Sequence, residues 1–344
     1  MATKRKIAVA GAGIYGSTIA IRLAERGHDV RLFDPLGVLW AASGINQYRI
    51  HSGYHYPRSP ETITETLEAR AEFQKTYAPA VVRNSKHYYA SPREGSKTPP
   101  QLFEEVMARH SIPFEPTKPE WMNFGFIEKC YAVDEHIYDS EILRTLLTDR
   151  LRELGVPLEQ RAFTPEMRDD YDAVVWATYG LGYSRGIFEG AKYQAAEKIL
   201  IQLPPQLRGV ALVIVDGPFT AFDPYGSSEK SLWGSAKHTN HWTSTSATEP
   251  VPEPFASLLN RKTWETFAQT RFDAMRADAA LAVPAAAEAK YLGSRFTIRV
   301  VENNPAQDRR TLYVIDGKPG ELHIFSGKVV SCVKAARLVC EKFE

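Results

Sequence analysis

Lys6-Ile7-Ala8-Val9-Ala10-Gly11-Ala12-Gly13-Ile14-Tyr15-Gly16 is the stretch on which the fold turns. An apolar run passes directly into three glycines spaced G-x-G-x-x-G. A helical pattern follows from Ile14 to Arg26, with Ile14, Thr18, Ile21, Leu23 and Ala24 on one side. Gly27 stands where a left-handed helix cap is expected. Val30 to Phe33 is a second apolar strand, ending in Asp34-Pro35. Strand, glycine loop, helix and strand in this order make a βαβ unit.

Each glycine has a physical task if the loop meets a pyrophosphate. Gly11 permits the tight turn, Gly13 lets the phosphates approach the backbone, and Gly16 lets the helix lie close on the strand. The free N–H groups at the helix start, from Ile14, Tyr15 and Gly16, then face the phosphates together with the helix dipole. Asp34 lies eighteen residues past Gly16, where an acid accepts hydrogen bonds from an adenosine ribose. An acid there disfavours a 2′-phosphate, and with it NADP. The reading is an α/β, Rossmann-type dinucleotide-binding domain; the bland alternative is a glycine-rich turn in an ordinary α/β protein.

Outward from this unit, Ser59-Pro60-Glu61 reads as a helix start, with Ile63, Leu67 and Ala71 on the apolar face. Residues 79 to 120 read as loops and short strands. Asp139 to Leu154 is a helix, with Ile142, Leu143, Leu146, Leu147, Leu151 and Leu154 at helical spacing and Gly155 as its stop. Asp172 to Thr178 is a buried strand. From about 198 to 236, apolar runs alternate with turn signals, which indicates antiparallel hairpins. Trp264, Phe267, Phe272 and Met275 mark a second long helix. A strand at Leu322 to Phe325, the turn Ser326-Gly327-Lys328 and a helix through Val333, Ala336 and Cys340 close the chain. Parallel pieces at both ends and an antiparallel middle predict a discontinuous cofactor domain (1–75, 135–182 and 296–344) carrying an inserted antiparallel-sheet substrate domain (76–134 and 183–295).

The bulk numbers exclude other classes. With 344 residues, 42 basic and 41 acidic side chains and a formal charge of +1, nothing favours capture of nucleic acid or an anionic membrane. No stretch reaches the roughly 18 apolar residues of a membrane span. Three cysteines, Cys130, Cys332 and Cys340, form neither a disulfide framework nor a metal set. A cytoplasmic protein acting on a small molecule is expected, with the oligomeric state open.

The segment Ala42-Ser43-Gly44-Ile45-Asn46-Gln47-Tyr48-Arg49-Ile50-His51-Ser52-Gly53-Tyr54-His55-Tyr56 resembles the flavin-facing loop of the D-amino-acid-oxidase and glycine-oxidase-like FAD-dependent oxidoreductases. Within that superfamily it is most similar to the branch holding L-2-hydroxyglutarate oxidase and FAD-dependent glycerol-3-phosphate dehydrogenase, because a Ser/Asn-rich turn precedes His51-Ser52-Gly53. Asp172 to Gly180 resembles the family's YDAVVxATG strand, though Tyr179 intrudes between threonine and glycine. Asp139 to Gly155 and Leu322 to Lys328 fall in the family's order as well. The resemblance implies FAD as cofactor in a Rossmann-type (GR2-like) domain. It implies that Ser43, Asn46, His51, Gly327 and Lys328 join Gly11, Gly13, Ile14, Tyr15, Gly16 and Asp34 in holding it, with Gly327 at the start of the last helix. Ser43 and Asn46 are turn formers as well.

Oxidation of an amine, amino acid or 2-hydroxy acid needs a group that takes the substrate proton, and His51 is the residue suited to it. A histidine that only hydrogen-bonds the flavin edge is the competing reading. A carboxylate or phosphate on the substrate calls for an arginine. Arg49, Arg58, Arg295, Arg299, Arg309 and Arg310 are available, and Arg49 and Arg310 are singled out. His238 and His241 lack the further ligands a metal needs. An NAD-dependent dehydrogenase and a non-catalytic FAD-binding protein are the alternatives in other classes.

Overall fold

The computed structural model describes residues 3–303 and 309–344. The opening unit forms as the sequence predicts: strand Lys6–Ala10, helix Ile14–Glu25 and strand Asp29–Phe33. Lys6–Ala10 pairs in parallel with Asp29–Phe33 on one side and Ala173–Trp176 on the other. Glu321–Ser326 extends the sheet in parallel, Leu158–Glu159 flanks the far side, and Leu312–Asp316 adds an antiparallel edge. Because the inner strands are parallel, the chain leaves Ala10, Trp176 and Ser326 at the same end of the sheet. Gly11, Ala177 and Gly327 therefore stand together at the carboxyl edge, where ligands of open α/β sheets bind. Both faces of the sheet's centre are covered, so Lys6–Ala10 and Ala173–Trp176 read as continuous apolar runs. Ile7, Val9, Leu23, Leu32, Leu143, Leu147 and Val339 are buried in this core, each worth roughly 1.5–3 kcal/mol for the side chain removed from water.

A nine-stranded sheet forms the second layer. Its long strands Ala191–Gln202 and Lys290–Glu302 pair antiparallel along their length. Thr220–Pro224 and Ser231–Ser235 form the hairpin that the turn signals indicate. One pairing departs from the expected antiparallel pattern: Val210–Ile214 runs parallel to Lys86–Pro92, a non-local match that local turn residues cannot announce. Ile199, Leu212, Phe222, Trp233 and Met275 form a second core on this sheet.

Several expectations are corrected. Helix Pro100–Arg109 lies inside the segment read as loops. Pro100 occupies a first-turn position, where a missing N–H costs nothing, and Phe103, Val106 and Met107 are buried. The later helix is Phe272–Ala282 and excludes Trp264 and Phe267. Glu265 instead exchanges backbone hydrogen bonds with Ser294, which holds that stretch extended against the sheet. In helix Pro60–Thr76 the buried side is Ile63, Thr66, Ala69 and Phe73, while Ala71 is exposed. The Ser59 hydroxyl meets that of Thr62 at 2.8 Å instead of capping an amide. In helix Ser140–Glu153 the core side is Leu143, Leu147 and Leu151, and Ile142 faces outward. Asp139 caps that helix, accepting from Glu141 and Ile142 N–H. The last helix is Cys332–Phe343, so Gly327 and Lys328 belong to the turn before it and not to its first residues. All three cysteines are free and buried. No helix among the described residues is long and apolar enough to cross a membrane.

Candidate active site

The glycine loop is closed as tightly as its sequence requires. A Cβ on Gly11, whose φ is +98°, would lie 2.6 Å from the Ala177 carbonyl oxygen, and one on Gly16 would lie 1.8 Å from that of Gly11. A Cβ on Gly13 would meet the Ser43 hydroxyl at 2.9 Å. That hydroxyl accepts a hydrogen bond from Ile14 N–H at 3.0 Å, which folds the Ala42–Gly44 turn onto the loop. Gly13 gives the helix no side-chain cap of its own and its first turn holds no acid, so it is Ser43 that covers the Ile14 N–H. The rest of this helix start is an electropositive terminus of the kind that receives a phosphate. Glycine cradle and electropositive helix terminus together fit the diphosphate of FAD.

The carboxylate of Asp34 accepts from Ala12 N–H at 2.8 Å through one oxygen, and from Leu36 and Gly37 N–H at 2.8 and 3.1 Å through the other. It braces the glycine loop from below. Asn46 is similarly engaged. Its amide N–H groups reach the Ala42 and Ser43 carbonyls, and its oxygen receives Tyr48 N–H and the Tyr138 hydroxyl. The Tyr15 hydroxyl donates to the Lys328 carbonyl, tying the phosphate loop to the closing turn.

Next to this loop lies a buried charge network. Arg49, 1% exposed, meets Glu135 and Asp223 at 2.6 Å each, and both acids are fully buried. Glu135 also accepts from the Tyr89 hydroxyl at 3.0 Å and from Ser52 N–H at 2.9 Å. His51 Nδ1 stands 3.6 Å from Glu135 Oε1, an electrostatic contact longer than a hydrogen bond. Burial alone would raise the Glu135 carboxyl, yet His51 and Arg49 outweigh it and hold it well below the usual carboxylate range. For Asp223 burial wins over Arg49 and pushes the carboxyl up to about 6.

The bases nearby are pushed toward their neutral forms. Burial, then the Lys328 ammonium, pushes His51 down to about 4. Burial and His51 lower His55 well below its ordinary value. Burial and Arg49 do the same to Lys328, whose Nζ lies 3.4 Å over the Tyr56 ring. His51, His55 and Tyr56 pack ring against ring, with centroids 4.9 to 5.6 Å apart.

These groups open on a cavity of about 320 Å³ between the two large sheets. Arg49, His51, His55, Tyr56, Gly327 and Lys328 line one part of it, and Lys198, Thr239 and Gly234 of the antiparallel sheet line another. Of the six arginines named from the sequence, Arg49, Arg299 and Arg310 reach the cavity wall. The others are used elsewhere. Arg58 pairs with Asp216, Arg295 donates to the Gly44 and Trp40 carbonyls, and Arg309 pairs with Glu302 and Glu61. His238 pairs with Asp278 and His241 with Glu197, and no metal-binding cluster exists among the described residues.

Glu135, Asp223 and Lys198 are absent from the residues singled out in the sequence. Asp223 sits in Asp223-Pro224, which reads as a turn but ends a buried strand. Glu197-Lys198 did carry a signal: two charges inside the apolar run of strand Ala191–Gln202.

The family model described as FAD dependent oxidoreductase (DAO) matches residues 6–182. FAD-dependent monooxygenase FPY4 of Fusarium mangiferae is 26% identical over 242 residues, covering 68% of this chain and 64% of that protein. FAD-dependent monooxygenase kojA of Aspergillus flavus is 25% identical over 256 residues, covering 65% and 59%. The chain thus spans less than two thirds of the length of these relatives. Glycine oxidase from Geobacillus kaustophilus superposes with a TM-score of 0.70 at 14% identity, over 99% of this chain and 94% of that one. Amadoriase I from Aspergillus fumigatus gives 0.69 at 16% identity, over 100% and 87%. At such identities the likeness is one of fold.

Proposed function

The chain belongs to the FAD dependent oxidoreductase (DAO) family, and from that premise we propose that it oxidises a C–N or C–OH bond of a small amine, amino acid or 2-hydroxy acid in the cavity beside His51. FAD is its cofactor. The observation that carries the reading is the placement of the neutral imidazoles His51 and His55, with Lys328 beside them, on the wall of a cavity that is also lined by Ala42, Asn46 and Gly327 of the two turns next to the glycine loop.

Gly11 to Gly16 would hold the diphosphate, with Ser43 beside it and the Gly327-Lys328 turn along the flavin. Asp34 would act mainly by bracing the loop, and Asn46 by fixing the turn. When bound, FAD supplies the acceptor for the substrate's hydride. The protein's own share is the proton and the orientation. His51, neutral above about pH 4, takes the proton from the substrate hydroxyl or ammonium. Glu135, 3.6 Å behind it, stabilises the imidazolium that results. Arg49 and Tyr89 fix Glu135 in place and keep its charge. Val215, Phe219 and Tyr56 line the cavity with apolar surface that excludes water from the reacting atoms. The domain division at 75/76, 134/135, 182/183 and 295/296 is part of this proposal, as is the nearness to the L-2-hydroxyglutarate oxidase and glycerol-3-phosphate dehydrogenase branch, which His51-Ser52-Gly53 supports.

The test is an anaerobic screen of amines, amino acids and 2-hydroxy acids for bleaching of the purified flavoprotein. Bleaching by one of them supports the reading. If none bleaches the flavin but NADH or NADPH does, the protein works from a nicotinamide reductant, as a monooxygenase would, and the proposal is wrong.

A further inference from the structure

Lys198 is a charged residue in the middle of a buried strand, and its neighbour Glu197 explains only itself. Glu197 turns to the other side of the sheet, where it accepts from His241, Thr270, Ser294 and the Arg271 amide. Lys198 turns to the cavity and makes no hydrogen bond or ion pair among the described residues. Its ammonium is partly exposed to the cavity, and the acid that bears on it, Asp223, is already engaged by Arg49 at 2.6 Å, so the cavity side of Lys198 is open to a further anion.

The surroundings are built for one. The place that a Cβ on Gly234 would fill lies 3.1 Å from Lys198 Nζ, 3.3 Å from the Gln47 side-chain amide nitrogen and 3.6 Å from the Thr239 hydroxyl. Glycine at 234 keeps these three groups facing open space. Gln47 has no side-chain hydrogen bond among the described residues. The Thr239 oxygen already accepts from Ser235 N–H at 2.8 Å, which leaves its own proton to donate. Three donors therefore converge on one corner of the cavity.

The two ends of the cavity differ in charge. At the His51 end both imidazoles, His51 and His55, are uncharged at neutral pH. Lys198 is lowered by burial and by Arg299 against the pull of Asp223, but only to about 8, so most of it carries its charge at pH 7. One end can accept a proton and the other can hold an anion.

We propose that Lys198, with Gln47 and Thr239, binds the carboxylate of the substrate and so selects acids over neutral amines or alcohols. The word substrate rests on the oxidation reading above; the binding site does not. A carboxylate fixed at Lys198 places the adjoining carbon toward the His51 end, which makes Lys198 a specificity-determining residue.

The experiment uses the FAD-loaded protein and straight-chain carboxylates from acetate to hexanoate, each paired with its primary amide. Binding is read by calorimetry and by perturbation of the visible flavin spectrum. The wild type should bind at least one carboxylate tenfold or more tighter than its amide, and the preference should fall as pH rises through about 8. Lys198→Met should remove about tenfold to a hundredfold of that preference with FAD content unchanged. Lys198→Arg should retain it and carry it to higher pH; should the methionine variant fail to fold, this pH shift alone decides. No carboxylate preference in the wild type, or an unchanged one in Lys198→Met, overturns the proposal. So does a methionine variant that alters only the ligand-free flavin spectrum, since Lys198 would then face the cofactor. Because binding needs no turnover, a protein bleached by no amine, amino acid or 2-hydroxy acid counts against the oxidation reading and leaves this comparison intact.

Discussion

His51 Nδ1 stands 3.6 Å from one oxygen of Glu135, whose other oxygen takes a 2.6 Å hydrogen bond from Arg49. Histidine and arginine thus share a single buried carboxylate. The arrangement gives the imidazole an anion to lean on when it becomes charged, although burial keeps it neutral beforehand.

His51→Ala should therefore retain FAD and slow flavin bleaching by substrate about a hundredfold or more, the ordinary contribution of a positioned base. Bleaching in the wild type should fall off only below about pH 4, where His51 takes up a proton. Glu135→Gln removes the anion that favours the charged imidazole, so this acid limb should move to lower pH and the plateau rate should drop. A limb that stays in place after Glu135→Gln would separate the two residues. Stopped-flow mixing without oxygen isolates the step.

Arg49 is a second matter, of stability. It sits between two fully buried acids, and removing one partner of a buried charge group costs about 3–5 kcal/mol. Arg49→Met should lower the urea-unfolding free energy of the flavoprotein by that amount. A loss under 1 kcal/mol would mean that the acids are neutral in the folded protein.

The glycines separate binding from folding. Gly13→Val adds bulk toward the Ser43 hydroxyl, where the diphosphate would lie, and should yield a folded protein without FAD. Gly16→Val drives its Cβ into the Gly11 carbonyl at 1.8 Å, so it should disrupt the loop and much of the soluble yield. Full FAD content in purified Gly13→Val would displace the cofactor from this loop.

How far the sequence discloses the fold follows from the range of the contacts involved. The Lys6–Phe33 unit was legible because strand, glycine loop and helix are neighbours in the chain. The helix Pro100–Arg109 was hidden by Pro99-Pro100, which reads as a break until its partners are known. Trp264 and Phe267 mimic helical spacing but face a strand near Ser294. At the site, His51, Arg49 and Lys328 were visible, whereas Glu135 gains its role only by meeting Arg49 across 86 positions of chain. Arg310 was visible too, and it reaches the cavity wall beside Gly327.

Asp34 tests a reading that the structure modifies. An acid that only met the ribose would leave the cofactor-free protein untouched when removed. Here the carboxylate accepts three backbone N–H groups. Asp34→Ala should lower FAD affinity at least about tenfold and also destabilise the apoprotein by about 1–3 kcal/mol, the cost of orphaned donors. Thermal unfolding of the apoprotein and flavin titration measure the two effects separately.

Lys328 supplies the converse of the Glu135 experiment. Its amine lies over the Tyr56 ring, and after burial it is the next influence lowering His51. The two groups compete for protons: an ammonium at 328 raises the cost of a second charge at His51 a short distance away. Lys328→Met keeps the apolar stem and removes the competitor. The acid limb of flavin bleaching should then move to higher pH, toward the ordinary range of histidine, opposite in sign to the shift in Glu135→Gln. The double variant should fall between the two singles if both act on His51. Should Lys328→Met leave the limb unmoved while Glu135→Gln shifts it, the amine does not act on His51, and Lys328 serves the flavin turn or the substrate instead.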